Sequence, residues 1–332
     1  MDERQLLQRL IAGPVSGDAL AREGGQTRAA VWKRIEALRE AGVPIEARAG
    51  KGYALATPVH LIDVNVIRAG LPADVHASVA ALETAWTIDS TNSELLRRPA
   101  PEQGALVLLA ERQTGGRGRR GREWTSPLAA HLYLSVSRHF GGGLARLGGL
   151  SLVAGVAAAE ALHDAGFPTV RLKWPNDLVV AEPGGPMRKL GGILVEGGGE
   201  HAGPVRAVIG LGINVRMPTT AAAAIDQPWC DLAGLAEPGA SVDRNPIASA
   251  VLARLLPALD AFDADGLAPF RARYAAVDAL ADRPVTVHAP TAVLHGRALG
   301  LADDGALRVR LDEGGERSFH SGEVSVRSGA DT

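Results

Sequence analysis

A loop of glycines and arginines is the segment whose residue types most directly suggest chemistry. Residues 115–122 read Gly-Gly-Arg-Gly-Arg-Arg-Gly-Arg. Glycines let a backbone come close to a ligand and donate N–H groups to it, and arginines carry planar guanidinium groups that match carboxylate and phosphate oxygens. The loop therefore suits a ligand with more than one anionic group. We expect it to be mobile when empty, because four like charges repel one another.

The same loop is compatible with two other interpretations. Residues 116–121 satisfy the glycine fingerprint of dinucleotide-binding folds, and a predicted strand precedes them. No helix is predicted after them, because residues 123–127 contain Ser-Pro and break the chain, so the Rossmann context fails. An arginine-rich loop that is simply solvated, or that binds RNA, remains an alternative.

Two further segments place lysines at the ends of predicted strands. Lys173 follows one strand and begins the run Lys-Trp-Pro-Asn-Asp, in which Asn176 can donate and accept hydrogen bonds. Asp177 ends that run and can hold Mg²⁺ or orient a lysine. Lys189 enters a predicted buried strand that runs to Glu196, so it needs a partner. A substrate carboxylate or α-phosphate would serve, and so would a salt bridge to Asp177 or Glu196.

Residues 90–92 form a run of two hydroxyls and an amide, Ser-Thr-Asn. Such a run can bind a neutral polar headgroup, for example a ureido ring, but it is also common in helix caps and turns. Gln113 and Asn214 are polar residues that are equally ambiguous when taken alone.

The first 56 residues are predicted to form a helix-turn-helix followed by a β-wing. Ser16 is suited to capping the second helix and Thr27 the third, which carries apolar residues at helical spacing until Gly42 ends it. The predicted wing strands are residues 44–48 and 52–55, their turn is at residues 49–51, and residues 57–58 form a linker.

The third predicted helix is positively charged although the chain as a whole has a formal net charge of −2. This charge fits phosphate neutralisation in DNA, with Lys51 of the wing as a further contact. Arg28, at the helix start, is the best candidate for a base edge. Binding of a protein instead of DNA remains an alternative. The cations of residues 27–39 are Arg28, Lys33, Arg34 and Arg39, and the opposing carboxylate is Glu36.

The pattern of predicted strands and helices changes near residue 281. Residues 60–270 alternate strand-like runs with helices, which predicts a mixed sheet of enzyme size. Short alternating strands separated by Asp-Gly and Gly-Gly turns follow, and they predict a small β-barrel. We expect three domains, at residues 1–58, 62–275 and 281–328.

Composition and length are those of a soluble, multidomain globular protein of 332 residues, with 46% hydrophobic and 22% charged residues. The lone Cys230 excludes an intramolecular disulfide framework and most cysteine-based metal sites. The N-terminus lacks a signal pattern, and the apolar stretch at residues 150–159 is too short to span a bilayer. We therefore expect a cytoplasmic protein with no membrane association.

Together these segments resemble the biotin–protein ligase family, in its bifunctional biotin operon repressor form. The resemblance covers nearly the whole chain, and its motifs occur in the family's order. It implies an α+β multidomain fold: a winged helix-turn-helix, a central mixed-sheet α/β ligase domain similar to class II synthetases, and an SH3-like C-terminal β-barrel. The matching segments are residues 27–33, 50–53, 89–92, 113 with 116–122 and 124, 173–177, 189–196, 210–214 and 322–327.

The resemblance implies that biotin and ATP, with Mg²⁺, form biotinyl-5′-adenylate, and that the biotin then passes to a lysine of a biotin carboxyl carrier protein. It also implies that the adenylate-bound protein forms a homodimer that represses the biotin operon by binding operator DNA. A ligand-sensing transcription factor without ligase activity and a lipoate-type ligase remain alternatives. A lipoyl tail lacks a ureido group, so residues 90–92 argue against the lipoate-type ligase.

The resemblance also implies roles for individual residues. Lys189, Arg119 and Lys173 are the expected catalytic residues, and Asp177 is the expected Mg²⁺ ligand. Trp229 is a candidate for stacking on adenine. Two segments depart from the family: residues 182–188 are longer and richer in Gly and Pro, and residues 219–224 read Thr-Thr-Ala-Ala-Ala-Ala where an adenylate-contacting loop is expected. The expected ligand-binding residues are Ser90, Thr91, Asn92, Gln113, Arg117, Gly118, Arg119, Arg122, Trp124, Asn176, Lys189 and Asn214, and those expected to bind DNA are Thr27, Arg28, Lys33, Arg34 and Lys51.

Overall fold

The structure is a computed structural model that describes residues 1–48, 50–141, 143–182, 185–199, 205–321 and 325–328. Parts of three predicted features lie outside these ranges: residue 49 of the wing turn, residues 183–184 of the Gly/Pro-rich stretch, and residues 322–324 of the last motif.

The N-terminal region has the predicted helix-turn-helix and wing. The side chains of Asp2, Ser16 and Thr27 each accept a hydrogen bond from a backbone N–H in the first turn of the following helix, so the helices begin at these caps. Apolar side chains from the three helices form a core of their own. The elements are α1 (Glu3–Ile11), α2 (Gly17–Glu23), α3 (Arg28–Glu40), β1 (Ile45–Arg48) and β2 (Gly52–Leu55).

The central region is built on a mixed sheet, which is seven-stranded in the described part of the chain. Its strand order is β3-β4-β5-β9-β8-β7-β6; β3 pairs with β4 in parallel, and the other neighbours pair antiparallel. The strands are β3 (Val79–Ala85), β4 (Ala105–Ala110), β5 (Leu132–Phe140), β6 (Val170–Lys173), β7 (Asp177–Ala181), β8 (Met187–Gly199) and β9 (Val205–Ile213).

Helices cover both faces of this sheet. Side chains alternate between the faces along each strand, so apolar residues on both faces need a helix to pack against. Leu108 and Val208 pack against Leu95 of the helix α6, whereas Val107 and Ile209 belong to the main core on the other face. The helices are α4 (Val64–Ala69), α5 (Ala73–Ala77), α6 (Thr91–Arg97), α7 (Leu150–Asp164), α8 (Thr219–Ala222), α9 (Leu232–Leu235), α10 (Arg244–Asp265) and α11 (Arg271–Val277).

The C-terminal region is an antiparallel sheet with the strand order β13-β12-β11-β10-β14. Its strands are β10 (Pro284–Ala289), β11 (Ala292–Leu301), β12 (Leu307–Leu311), β13 (Glu316–Phe319) and β14 (Ser325–Ser328). The predicted fold class is confirmed: an α+β chain with an N-terminal helix-turn-helix, a central mixed sheet with helices and a C-terminal antiparallel sheet. The three domain boundaries stay a prediction.

Specific contacts join the three regions. Leu128 packs into the N-terminal core, and its backbone N–H donates to the carbonyl of Ala41 at 2.8 Å. Trp174 donates its indole N–H to the carbonyl of Gly305 in the C-terminal region, at 3.1 Å. None of the helices within the described ranges is long and apolar enough to cross a membrane.

Candidate functional site

A cleft of about 920 Å³ opens on the face of the central sheet that carries α6. The structure brings together there the segments that the sequence analysis selected, although they are far apart in the chain. All the residues expected to bind the small-molecule ligands line this cleft, as do Lys173, Asp177 and Trp229.

One end of the cleft is lined by neutral hydrogen-bonding groups. Ser90 caps α6, and the two residues after it, Thr91 and Asn92, are buried. Gln113 accepts a hydrogen bond at 2.8 Å from the Thr91 backbone N–H. Ser135, which is fully buried in β5, lies 2.7 Å from the Thr91 hydroxyl and 2.6 Å from the Asn92 side-chain oxygen. Ser90 is therefore a helix cap, and the side chains that follow it line the cleft.

Ser135 was not among the residues expected from the sequence. The available signal was a hydroxyl between the apolar residues Leu134 and Val136, where a buried polar group requires a partner.

Two glycines of β9 make room for the site. A Cβ at Gly210 would lie 2.3 Å from the Asn92 side-chain oxygen, and one at Gly212 would lie 2.6 Å from the ring of Trp124. Real Cβ atoms do not approach other atoms this closely, so the Gly-Leu-Gly run of β9 lets Asn92 and Trp124 rest directly on the sheet. This is the structural reason for glycine at these two positions.

The other end of the cleft is cationic. Lys189 Nζ lies 2.9 Å from Asp177 Oδ1 and 5.5 Å from the centre of the Trp124 ring. The structure thus pairs Lys189 with Asp177, one of the two salt bridges that the sequence left open. Arg119 donates to the Asn176 side-chain oxygen at 3.1 Å, and burial lowers the pKa of its guanidinium. Because both cations are partly withdrawn from water, an anion placed between them is attracted more strongly than at the surface.

The glycine–arginine loop closes over this end of the cleft. It contains a short 3₁₀ turn at Arg119–Gly121, in which Arg120 has a positive φ of 57°. Arg119 also donates to the carbonyl of Ser321 in the C-terminal region, at 2.6 Å. Val326 and Arg327 of β14 line the cleft as well, so the C-terminal region contributes directly to the site. This contribution was not among the expectations from the sequence.

Glu196 links the two ends of the cleft. One of its carboxylate oxygens accepts a hydrogen bond from the Asn92 amide at 3.0 Å and lies 2.7 Å from the Arg117 guanidinium. The alternation of β8 and its pairing with β9 place Glu196 on the face of the sheet that carries α6. In sequence Glu196 was only a possible partner of Lys189; in the structure it pairs with the loop.

The remaining predicted residues also lie around the cleft. Asn214 donates its side-chain amide to the carbonyls of Cys230 and Lys189, at 3.1 and 3.4 Å. Trp229 is half-buried and pairs with Lys189 in a short β-bridge. Arg122 is exposed at the rim of the cleft, and Lys173 is half-buried in its wall.

The donor set for a metal ion is small. No group of three His, Cys, Asp or Glu side chains that could hold a metal occurs among the described residues. Asp177 supplies one carboxylate at the cationic end, and Lys189 already contacts it. This arrangement fits Mg²⁺ that keeps most of its oxygen ligands from substrate phosphates and water.

The residues predicted to bind DNA form a second surface, and none of them lines the cleft. Thr27 caps α3, Arg34 donates to the Gln26 side chain, and Lys33 and Lys51 are exposed. Arg28 is exposed and lies 3.1 Å from Asp18. An exposed ion pair of this kind contributes little to stability, so Arg28 remains available to a phosphate or a base.

Comparison with known proteins defines the class of this chain. Residues 84–214 match the Biotin/lipoate A/B protein ligase family, residues 2–54 match an HTH domain, and residues 281–327 match the Biotin protein ligase C terminal domain.

The bifunctional ligase/repressor BirA of Escherichia coli (strain K12) is 39% identical over 313 residues, which are 94% of this chain and 93% of that protein. A biotin--[acetyl-CoA-carboxylase] ligase of Paracoccus denitrificans is 36% identical over 67% of this chain and 91% of its own. Among solved structures, the biotin protein ligase from Aquifex aeolicus in complex with biotin and ATP has a TM-score of 0.60 and 27% identity, covering 75% of this chain and 98% of that one. The chain belongs to the biotin protein ligase family, in its bifunctional ligase/repressor form.

Proposed function

We propose that the protein is an ATP-dependent biotin–protein ligase and a biotin-responsive repressor of the biotin operon. The observation that carries the ligase activity is a single cleft with a neutral hydrogen-bonding end and a cationic end. A neutral end suits the ureido ring of biotin, and a cationic end suits its carboxylate beside the phosphates of ATP. The similarity to ligase/repressors over 94% of the chain supports both activities.

The reaction has two steps. The biotin carboxylate first attacks the α-phosphorus of ATP; an O–P bond forms, the bond to pyrophosphate breaks, and biotinyl-5′-adenylate results. A lysine amine of the biotin carboxyl carrier protein then attacks the carbonyl carbon of this mixed anhydride. A C–N bond forms, AMP leaves with the electron pair of the C–O bond, and the amine loses a proton. Because both steps gather negative charge on oxygen, the protein contributes mainly positioning and electrostatic stabilisation.

The neutral end orients the biotin headgroup. The hydroxyls of Thr91 and Ser135 and the amides of Asn92 and Gln113 offer donors and acceptors to the ureido ring. These side chains already bond to one another, so they are held in place before biotin arrives. Ser90 supports them by starting α6.

Lys189 acts on the reacting atoms. Its ammonium group sits between Asp177 and the face of Trp124, and it bridges the biotin carboxylate and the α-phosphate when both substrates are bound. Arg119, with Arg117 and the backbone of Gly118, then retains the adenylate. The residues that face the nucleotide are Lys173, Asn176, Arg122, Trp124 and Asn214, with Trp229 against the adenine. Asp177 and the substrate phosphates would hold Mg²⁺, which would neutralise charge on the phosphates.

Biotin-dependent exchange of pyrophosphate into ATP tests the ligase activity, with lipoate as the competing acid. We expect exchange with biotin, none with lipoate, and a loss of about 100-fold or more in Lys189→Ala, because a removed charge-stabilising group typically costs this much. Arg254→Ala is the control and should retain exchange. It removes an exposed cation of α10 that is paired with Asp164 of α7. Exchange with lipoate alone would favour the lipoate-type ligase, and no exchange with either acid would favour a ligand-sensing transcription factor.

The repressor function uses the N-terminal surface. We infer that the adenylate-bound chain forms a homodimer in the cytoplasm and binds operator DNA through α3 and the wing. Domains at residues 1–58, 62–275 and 281–328 separate DNA binding from catalysis, and Leu128, which follows the arginine loop, links them by packing into the N-terminal core. Titration of duplex DNA with and without biotinyl-adenylate tests this coupling, and equal affinity in both states would refute it.

A further inference from the structure

Trp32 is an exposed indole on α3, the second helix of the helix-turn-helix that α2 and α3 form. Four large apolar side chains in the described part of the chain are exposed, and Trp32, at 53%, is the only aromatic one. The helix α3 buries Val31, Ile35 and Leu38 against the N-terminal core. Because a helix has 3.6 residues per turn, Trp32 falls on the solvent side, one turn after Arg28. The indole is therefore displayed outward and is not part of the core.

The surroundings of Trp32 are cationic. Arg28 has a 74% exposed side chain that lies 3.1 Å from the exposed Asp18. Lys33, the next residue after Trp32, and Lys51 on the wing are exposed as well. The opposing carboxylate Glu36 lies 2.6 Å from Arg39. An exposed apolar ring on a helix that also carries exposed cations fits a polyanion that presents an apolar group.

We propose that Trp32 contacts the C5-methyl group of a thymine in the major groove of the operator and so helps to select its sequence. The major groove of DNA displays this methyl group beside polar base edges, and thymine alone among the four bases carries it. The second helix of a helix-turn-helix enters that groove with its N-terminal residues toward the bases. Trp32 is the fifth residue of α3, so it lies in this N-terminal half. The inference rests on the proposed repressor function.

Double-stranded RNA fits this surface less well. The major groove of an RNA helix is deep and narrow, and side chains do not read it. Uracil, moreover, lacks the methyl group that an exposed indole would cover. The positive charge of this surface would attract either nucleic acid. The apolar ring favours DNA, because only thymine offers it a methyl group.

Selection from a pool of DNA duplexes with a random central segment provides the test. The full chain is used with biotin and ATP, as wild type, as Trp32→Ala and as Val293→Ala. Val293 is 55% exposed on β11 of the C-terminal sheet, so this variant also truncates an exposed apolar side chain. In the duplex that the wild type selects, each thymine is then replaced in turn by uracil, which removes one methyl group.

For the wild type and for Val293→Ala we expect one replacement to weaken binding about fourfold, since burial of one methyl-sized group contributes about 0.8 kcal/mol. Trp32→Ala should bind the thymine and uracil duplexes equally, while its pyrophosphate exchange stays at the wild-type level. A wild type that enriches no sequence would refute the repressor function and this inference with it. If the wild type selects a sequence but uracil weakens DNA binding of the wild type and of Trp32→Ala equally, the role of Trp32 is overturned. The repressor function is then unaffected. A change in self-association in Trp32→Ala with unchanged DNA binding would overturn the role of Trp32 too.

Discussion

Asp278 follows α11 beside the edge strand β6 of the central sheet, and replacing it with asparagine should stabilise the protein increasingly as the pH rises above about 4. Asp278 forms a short parallel bridge to Leu172, the residue before Lys173, and its Oδ1 accepts the Leu280 N–H at 2.8 Å. Burial raises the pKa of the Asp278 carboxyl from 3.8 to about 6, and this hydrogen bond offsets the effect only in part. The carboxylate is therefore ionised at neutral pH in an environment that disfavours its charge.

The magnitude follows from the two pKa values. One pKa unit corresponds to about 1.4 kcal/mol, so a rise from 3.8 to about 6 corresponds to about 3 kcal/mol of stability. The folded state binds the proton more tightly than the unfolded state. This stabilisation is therefore fully present below pH 3.8 and is lost as the pH rises through about 6. An asparagine side chain carries no charge at any pH, so Asp278→Asn should gain up to about 3 kcal/mol at pH 8 and almost nothing at pH 4.

Thermal and urea unfolding of the wild type and Asp278→Asn at pH 4, 5, 6, 7 and 8 measures this difference. Asp312→Asn, at an exposed position in the turn between β12 and β13, is the control and should track the wild type throughout. A stability difference that stays constant with pH would refute the reasoning, because a raised pKa requires the difference to open between pH 4 and 7. A less stable Asp278→Asn at pH 8 would refute it as well.

Three further predictions concern the cleft. Glu196→Gln should release biotinyl-adenylate about fivefold faster, since Arg117 loses an ionic partner worth about 1 kcal/mol. Stopped-flow release measures this, with Glu160→Gln, at the same 25% exposure and also paired with an arginine, as the control. Equal release in both variants would contradict the linking role of Glu196. Gly212→Ala should raise KM for ATP at least tenfold, because the added Cβ would lie 2.6 Å from the Trp124 ring and displace it. An unchanged KM would show that the ring is not needed at this position. Chelation of divalent cations with EDTA should abolish pyrophosphate exchange, Mg²⁺ should restore it, and exchange that survives chelation would exclude the metal.

The local parts of this protein could be predicted from its sequence. Ser16 and Thr27 cap their helices in the structure as predicted, because a cap needs only the residues of the following turn. The strand predicted ahead of the Lys-Trp-Pro-Asn-Asp run likewise forms, at Val170–Lys173. By contrast, β3 and α6 were not predicted: both are short, and β3 alternates weakly in hydrophobicity, so packing against neighbouring strands and helices decides them.

The order of the motifs and the chemistry of the residues at 115–122, 173–177 and 189–196 were determined by the sequence itself. Their arrangement was decided by the tertiary structure. Asn92 meets Glu196 across 104 residues, and Arg119 meets Ser321 across 202. Such contacts depend on strand order and register, which place distant residues on one face of a sheet, and no local preference of the chain specifies them. For the same reason the choice of Asp177 over Glu196 as the partner of Lys189 became visible only in the folded chain.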